Sequence, residues 1–287
     1  MMRVLRHIQR EDLLPFQQDA LEVLKAVLVA QRLLRKKDED QDLLRFLRAR
    51  SFDVGKATAM YEAMTEWRKA VGADTIAQTF DFPERKAIKE LYPQFHHKTD
   101  KFGRPIYIER VGQMQLEELF KTTSTERMLM YHIKEWEVLV DWKLPACSKI
   151  SARPISQSLA IMDLKGLTMK HMNKQALQYI QHVSKVDQDY YPEYLGKLII
   201  VNAPMSFKAI WAAIKPWLDK RTQKKIEVHG SCFVSRLLEL VNKEDLPEFL
   251  GGTCSCPGGC ENSDAGPWND PRYQPYADPG KATTDCK

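Results

Sequence analysis

A chain of 287 residues is long enough for one large domain or for a small helical domain followed by a larger one. Its 44% hydrophobic and 28% charged residues are typical of a globular protein, and its longest apolar run is far shorter than the roughly 20 residues that span a bilayer. The net charge of +5 permits weak attraction to anionic membranes, but interspersed acidic residues leave no basic stripe for nucleic acid.

The start of the chain and the cysteines bear on its location. Met1 to Arg10 lacks the apolar segment of a signal peptide. The six cysteines are unevenly spread, and Cys147 and Cys232 have apolar sequence neighbours, which does not favour a disulfide framework. We therefore expect a cytoplasmic protein with reduced cysteines.

Three helices are predicted at the beginning of the chain, and together they suggest a helical hairpin module. The first covers Leu13 to Arg35, the second begins near Gln41, and the third covers Val54 to Ala70. In the second helix, leucines and Phe46 recur at helical spacing and face inward. Its arginines are predicted to lie outside or at its end: Arg45, Arg48 and Arg50.

Strands alternating with long helical segments follow. The predicted strands are Arg104 to Glu109, Ser158 to Asp163, Lys197 to Asn202 and Ile226 to His229. The helical segments between them are Thr125 to Trp142, Met169 to Tyr190 and Ser206 to Leu218. Because such helices can act as crossovers, the pattern predicts an α/β fold with a mostly parallel sheet and helices on its faces.

The last of these helices is strongly amphipathic. Its apolar residues recur at helical spacing: Phe207, Ile210, Trp211, Ile214 and Leu218. Lys208 and Lys215 fall between them, and Pro216 interrupts the pattern near its end. Such a helix can cover an apolar cavity, touch a membrane or simply pack on its sheet, and the sequence pattern alone leaves these alternatives open.

Most signatures of catalysis are missing from the sequence. It contains no G-x-S-x-G elbow, Walker A loop, G-x-G-x-x-G turn or H-E-x-x-H helix. A hydrolase that uses Ser231 and His229 is an alternative, because these residues follow a predicted strand, but no acid partner accompanies them. We therefore expect binding rather than catalysis.

From Gly251 the composition changes to Gly, Cys, Pro, Ser and Asp, which predicts an irregular tail. Cys254, Cys256 and Cys260 resemble half of a metal site, but zinc usually takes four ligands and no histidine is close in the sequence. The pair His96-His97 is predicted to lie on a short loop. We therefore expect a solvent-exposed tail and no metal; the sequence does not define the role of the tail cysteines.

Several motifs of this chain, taken together, closely resemble the CRAL-TRIO lipid-binding family, and most closely the secretory-pathway phosphatidylinositol/phosphatidylcholine transfer proteins within it. The resemblance covers nearly the whole chain and follows the order of the family's motifs. The motifs are Leu43 to Arg50, Trp67 to Lys69, Asp100 to Pro105, Leu144 to Ser148, Ile161 to Gly166, Tyr190 to Glu193, Ile200 to Pro204, Leu246 to Gly252 and Gly266 to Trp268.

The resemblance implies a helical module in residues 1–75, a CRAL-TRIO lipid-binding domain in residues 76–253, and an irregular tail in residues 254–287. It also implies a pocket for one phospholipid beneath a mobile gate helix, which matches Ser206 to Leu218. The residues implied to bind a phosphatidylinositol headgroup are Arg50, Glu193, Thr222 and Lys225. Guanidinium and ammonium groups suit a phosphate, while carboxylate and hydroxyl groups suit inositol hydroxyls.

A second set of residues is implied for a phosphatidylcholine headgroup. Ser158 and Tyr107 match that subsite, whereas Ala160 stands where a threonine is usual and His96 where a tyrosine is usual. In addition, Ser51 replaces a common lysine after Arg50, which removes one positive charge near the inositol site.

The resemblance implies a monomeric, non-enzymatic carrier of phosphatidylinositol, with phosphatidylcholine as a second candidate ligand and no cofactor. It would contact membranes transiently, present lipid to inositol-lipid kinases, and associate peripherally with Golgi or endosomal membranes. Two alternatives remain besides the hydrolase. One is a carrier of a sterol, an isoprenoid or haem on the same fold, and the other is a regulatory module without cargo.

Overall fold

The computed structural model describes residues 13–171 and 173–273, with a five-stranded sheet at the centre. The strands are β1 (Gln94–Thr99), β2 (Pro105–Glu109), β3 (Ser158–Asp163), β4 (Leu195–Val201) and β5 (Ile226–Val228). They lie side by side in sequence order; β1 is antiparallel to β2, and all other neighbours are parallel. The predicted α/β fold with a mostly parallel sheet is confirmed.

Helices surround this sheet and precede it. The N-terminal helices are α1 (Pro15–Ala30), α2 (Asp40–Ala49), α3 (Val54–Val71), α4 (Ile76–Thr79) and α5 (Arg85–Leu91). The remaining helices are α6 (Leu116–Thr122), α7 (Thr125–Val138), α8 (Leu144–Ile150), α9 (Lys174–Tyr190), α10 (Phe207–Ile214), α11 (Lys220–Lys224), α12 (Val234–Leu240) and α13 (Cys260–Ser263). Over the described residues, no helix has both the length and the apolar character needed to cross a membrane.

The two faces of the sheet are covered differently. Residues of one face, such as Ile161 and Ile199, are fully buried and pack with Phe233 and Leu237 in and beside α12. On the opposite face, Leu198 and Ile200 pack with α10. Because successive residues of a strand point to opposite faces, the part of β4 that is covered on both sides, Leu198 to Val201, is apolar, as its sequence predicts.

The N-terminal helices form their own core around leucines that include Leu21, Leu24, Leu28, Leu43 and Leu47. The expectation that Arg45 lies outside is wrong, because this side chain is only 6% exposed. It stacks over the Tyr194 ring at 3.6 Å and donates a hydrogen bond to the Ser156 carbonyl oxygen. Both partners are more than 100 residues away in sequence, so helical periodicity alone could not reveal them.

The predicted loop around His96 and His97 is also wrong, because these residues belong to β1 and are buried. The polar sequence of β1 has no apolar alternation. It forms a strand because it pairs with β2 and because the segment after Gly251 covers it, with α13 packed against β1.

The prediction of a solvent-exposed tail is wrong for residues 254–273. Cys254 and Cys260 are buried, and Trp268 is fully buried, with Trp142 donating a hydrogen bond to its carbonyl oxygen at 2.9 Å. The rest of the predicted tail, residues 274–287, lies outside the described residues, as do residues 1–12 at the other end. The domain boundaries themselves remain predictions.

Candidate functional site

A large cavity of about 830 Å³ lies between the sheet and the helices. Its walls come from the sheet face of Ala160, Met162 and Leu198, from one side of α7 and α9, and from α10. Among the lining residues are all those named from the sequence for headgroups and for the gate: Arg50, Tyr107, Ser158, Glu193, Phe207, Ile210, Trp211, Ile214, Thr222 and Lys225. Cavities of this size are typical of small-molecule sites.

The residues predicted for a phosphatidylcholine headgroup form one group on the sheet. His96 pairs with Tyr107 across β1 and β2, and Tyr107 pairs with Ala160 across β2 and β3. Ser158 is two residues from Ala160 and therefore faces the same side. The Tyr107 hydroxyl donates to Gln94 at 2.9 Å, whereas neither ring nitrogen of His96 has a hydrogen-bond partner among the described residues. Burial holds the pKa of His96 well below its usual range, so the ring is neutral.

Glu193, two residues before β4, is the centre of a charged cluster on the cavity wall. Its carboxylate accepts hydrogen bonds from Lys225 Nζ at 2.8 Å and from Arg221 Nε at 2.9 Å, and its side chain is 10% exposed. The backbone of Glu193 has a left-handed φ of +64°, which is rare for residues other than glycine and concentrates at functional sites. Arg45 and Gln157 hold this backbone by donating to its carbonyl oxygen.

Thr222 and Arg50 complete the set predicted to bind an inositol-lipid headgroup. The Thr222 hydroxyl donates to Asp219, which also caps the start of α11. Arg50 is the C-cap of α2 and donates to the carbonyl oxygen of Ala49 at 3.3 Å. The structure thus joins Glu193 and Lys225 directly and places Thr222 and Arg50 on the same cavity.

The cluster has an excess of positive charge. Glu193 is paired with two cations, Arg221 and Lys225, while Asp219 bonds to Thr222 and Arg50 lines the same cavity. Arg221 was not identified from the sequence, because it stands in a run of basic residues that looks like a solvated surface. An excess of cations with several donors can hold a phosphate by charge-assisted hydrogen bonds.

A polar patch that the sequence analysis did not identify lies in the cavity wall. Asp187 accepts hydrogen bonds from His132 Nε2 and from Trp136 Nε1, each at 2.7 Å. Burial alone lowers the pKa of His132, but the nearby Asp187 carboxylate outweighs burial, and the pKa is raised. Close to this pair, burial raises the pKa of Glu109 to about 7, and its carboxyl group accepts a hydrogen bond from Tyr92.

The helix α10 has the amphipathic arrangement predicted for Ser206 to Leu218. Phe207 and Ile210 are buried against the sheet, Trp211 and Ile214 line the cavity, and Lys208 is exposed. The α-helix ends at Ile214 and continues as a 3-10 turn, Lys215–Trp217, because Pro216 cannot continue the hydrogen-bonding pattern.

One of the two residues of the hydrolase alternative, His229, contacts an ion-pair network. His229 Nε2 lies 3.3 Å from Glu227, whose carboxylate also pairs with Arg236 at 2.8 Å and with Lys197. The position of His229, directly after β5, is therefore accounted for by its contact with the Glu227 carboxylate.

Comparisons with known proteins agree with this architecture. The model of the CRAL/TRIO domain matches residues 89–252, and the model of the CRAL/TRIO N-terminal domain matches residues 17–63. The chain is also similar to a solved structure, the crystal structure of Sfh5, with a TM-score of 0.60 and 16% identity over 75% of this chain and 80% of that one. At this identity the likeness concerns the fold alone.

Similarity to curated proteins extends over most of the chain. Phosphatidylinositol/phosphatidylcholine transfer protein SFH12 of Arabidopsis thaliana is 43% identical over 88% of this chain and 47% of its own length. Sec14 cytosolic factor of Schizosaccharomyces pombe is 43% identical over 82% of both chains. The chain thus spans about half the length of SFH12, and it belongs to the CRAL/TRIO family, with a CRAL/TRIO N-terminal domain ahead of the CRAL/TRIO domain.

Proposed function

We propose that this protein carries one phospholipid, with phosphatidylinositol as its main ligand, between membranes. The observation that supports this proposal most strongly is the joint presence of a mostly apolar cavity of about 830 Å³ and, on its wall, the Glu193 carboxylate paired with Lys225 and with Arg221. The relatives SFH12 and Sec14 cytosolic factor, as named above, are a lipid transfer protein and a cytosolic factor, which supports transfer and a cytoplasmic location.

The cavity addresses the main barrier to lipid transfer. A lipid with two acyl chains has on the order of 30 methylenes, and at about 0.8 kcal/mol each their exposure to water would cost roughly 25 kcal/mol. A carrier that docks on the bilayer and opens a gate lets the chains pass into an apolar cavity without entering water. This process needs no covalent step, so the proposal includes no enzymatic activity.

The gate region has the composition for transient membrane contact. Met205, directly before α10, is 79% exposed, and Lys208 and Lys215 are exposed on the outer side of the gate. An apolar side chain can enter the interface while lysines attract anionic lipids. Our proposal includes a peripheral association with Golgi or endosomal membranes. The protein would act as a monomer and would present its lipid to inositol-lipid kinases.

The test is parallel transfer of labelled phosphatidylinositol and phosphatidylcholine between vesicles by wild type and Lys225→Ala. Lys225 donates to Glu193 on the cavity wall, so its loss should remove a charge-assisted contact to the inositol-lipid phosphate. We expect phosphatidylinositol transfer to fall roughly tenfold or more, as for a bond to a charged group worth about 1.5–3 kcal/mol. Lys224→Ala, which changes the exposed last residue of α11 directly before Lys225, is the matched control.

Phosphatidylcholine transfer by Lys225→Ala should stay within about twofold of wild type, because the residues predicted for that headgroup lie on the sheet. If Lys225→Ala lowers the transfer of both lipids and Lys224→Ala does the same, the effect comes from a general attraction to the membrane. Wild type that transfers neither lipid would contradict the proposed function and would favour another hydrophobic cargo.

A further inference from the structure

Four potential metal ligands converge between the edge of the sheet and the segment that covers it. His97 comes from β1, Cys254 and Cys256 from the loop after Gly251, and Cys260 from the start of α13. Their donor atoms all lie within 4.8 Å of one another, and only Cys256 is not fully buried. The sequence argument against a metal relied on there being no histidine near these cysteines, and the fold brings one to them.

The hydrogen bonds around His97 leave one of its two ring nitrogens with a free lone pair. The Ser263 hydroxyl donates its single proton to the Cys260 carbonyl oxygen at 2.9 Å, so it accepts from His97 Nδ1, 3.2 Å away. A neutral imidazole protonated at Nδ1 has its free lone pair on Nε2. That atom is buried and has no hydrogen-bond partner among the described residues. Metal-bound histidines are oriented in this way by a partner on the other ring nitrogen.

The sulfur atoms have a spacing that suits zinc. The Sγ atoms of Cys254 and Cys256 are 3.7 Å apart. Two thiolates bound to tetrahedral zinc at about 2.3 Å are roughly 3.8 Å apart. Three sulfurs and one imidazole form a ligand set common in structural zinc sites, and soft thiolates do not favour Mg²⁺ or Ca²⁺.

The backbone brings Cys260 back toward Cys254 through a tight turn. Gly258 and Gly259 have left-handed φ values of +76° and +92°, which residues with a side chain rarely adopt. Cys254 is fixed by hydrogen bonds of its backbone with Leu246 and Glu248. The cysteines are therefore held by ordered backbone on both sides of the turn.

We propose that His97, Cys254, Cys256 and Cys260 bind one zinc ion, which fastens the C-terminal segment to the edge strand β1. Binding releases the three thiol protons to solvent and replaces the bond from Cys260 Sγ to the Cys254 carbonyl oxygen with a zinc–sulfur bond. His96, the neighbour of His97 in β1, lines the cavity, so the ion would also stabilise one cavity wall.

The test uses the full chain, reduced, stripped of metal with a chelator and then given equimolar Zn²⁺ or Co²⁺. We expect about one zinc per chain by elemental analysis, and with Co²⁺ the absorption bands of a tetrahedral thiolate complex. Removal of zinc should lower Tm, and addition of Zn²⁺ should restore it. Cys256→Ser should lose these responses, whereas Cys232→Ser, which changes an exposed cysteine elsewhere, should keep them.

Two results would overturn the proposal. One is the finding that the wild-type protein retains less than about a tenth of an equivalent of zinc and gives no thiolate bands with Co²⁺. This result does not depend on the folding of any variant. The other is a disulfide between two of the three cysteines in protein isolated without reductant, detected by mass spectrometry after thiol labelling. Neither readout uses lipid transfer, so failure here is separate from failure of the proposed function.

Discussion

Glu109 is a buried carboxyl group whose ionisation should be visible in the stability of the protein. Its pKa is raised from 4.5 to about 7 by burial in the cavity wall, where His132 and Asp187 are the nearby charged groups. Between these two pH values the folded state binds one more proton at this site than the unfolded state. The free energy of unfolding therefore falls as pH rises from about 4.5 to 7.

We expect Glu109→Gln to remove this dependence, because the amide keeps an acceptor for Tyr92 and does not ionise. Relative to the variant, wild type should lose roughly 1–3 kcal/mol of unfolding free energy between pH 4.5 and 7. Urea unfolding at a series of pH values measures this difference. Curves of wild type and variant that run parallel over the whole range would show that Glu109 titrates normally.

At the scale of residues, the sequence motifs predicted the cavity-lining positions Arg50, Thr222 and Lys225 but not the contacts around them. Lys225 pairs with Glu193, a contact that the motifs did not predict, and Arg45, which was expected on the outside of its helix, donates to the Glu193 carbonyl oxygen. A motif specifies which residue types occur together. It does not show which neighbour, distant in sequence, holds each of them.

The element with the most direct bearing on transfer is the gate helix α10, which is attached at its far end to α9. Gln188 of α9 donates to the Trp217 carbonyl oxygen at 2.9 Å and accepts from the Asp219 amide at 2.7 Å. Two such bonds contribute on the order of 1–2 kcal/mol. They oppose opening of the gate at the end where Pro216 already interrupts the helix.

We expect Gln188→Ala to increase opening of the gate by roughly tenfold, since each 1.4 kcal/mol corresponds to a factor of ten. Hydrogen exchange of the amides of Phe207–Ile214 measures opening, and vesicle transfer should become faster if opening limits the rate. Gln178→Ala, an exposed glutamine on the same helix, serves as the control. Unchanged exchange in Gln188→Ala would show that these bonds do not hold the gate.

Among the secondary-structure elements, strands with apolar sequences were predicted to within a few residues, and β3 matches its prediction at both ends. The polar strand β1 was missed because the segment that covers it comes from far along the chain: His97 contacts Ser263, 166 residues away. Local pattern indicates a strand only when burial requires alternation or an apolar run. For β1, burial depends on a segment whose composition suggested a tail.

At the scale of the whole molecule, a buried ion pair joins the N-terminal helices to the CRAL/TRIO domain. Arg68 of α3 makes two hydrogen bonds to Glu137 of α7, at 2.8 and 2.6 Å, and both side chains are at most 5% exposed. The Tyr191 hydroxyl donates to the same carboxylate at 2.6 Å. Beside this pair, Trp67 stacks on Tyr190 at 4.1 Å.

We expect Arg68→Met to lower the free energy of unfolding by about 3–5 kcal/mol, because Glu137 would remain buried without its partner. The double variant Arg68→Met/Glu137→Gln should recover a large part of this loss, since the amide still accepts from Tyr191. Chemical denaturation of the three proteins measures both effects. If the single variant loses less than about 1 kcal/mol of unfolding free energy, the pair of Arg68 and Glu137 does not stabilise the contact between the N-terminal helices and the domain that follows them.

The class and layer order of the fold were accessible from the sequence because alternation of apolar strands and amphipathic helices is a local property. The size of the cavity could not be predicted from the sequence, because it depends on how far α7, α9 and α10 lie from the sheet. Glu109 and Asp187 were overlooked for the same reason: each looks like an ordinary surface carboxylate until the fold places it on the cavity wall.

The measurement that tests this account most directly is identification of the lipid that the protein extracts. The protein would be incubated with vesicles that contain phosphatidylinositol, phosphatidylcholine and a sterol, separated from them, and analysed by mass spectrometry for bound lipid per chain. We predict one phospholipid per chain, with phosphatidylinositol enriched over its fraction in the vesicles. Bound sterol in place of phospholipid, or protein that remains without lipid, would contradict the account.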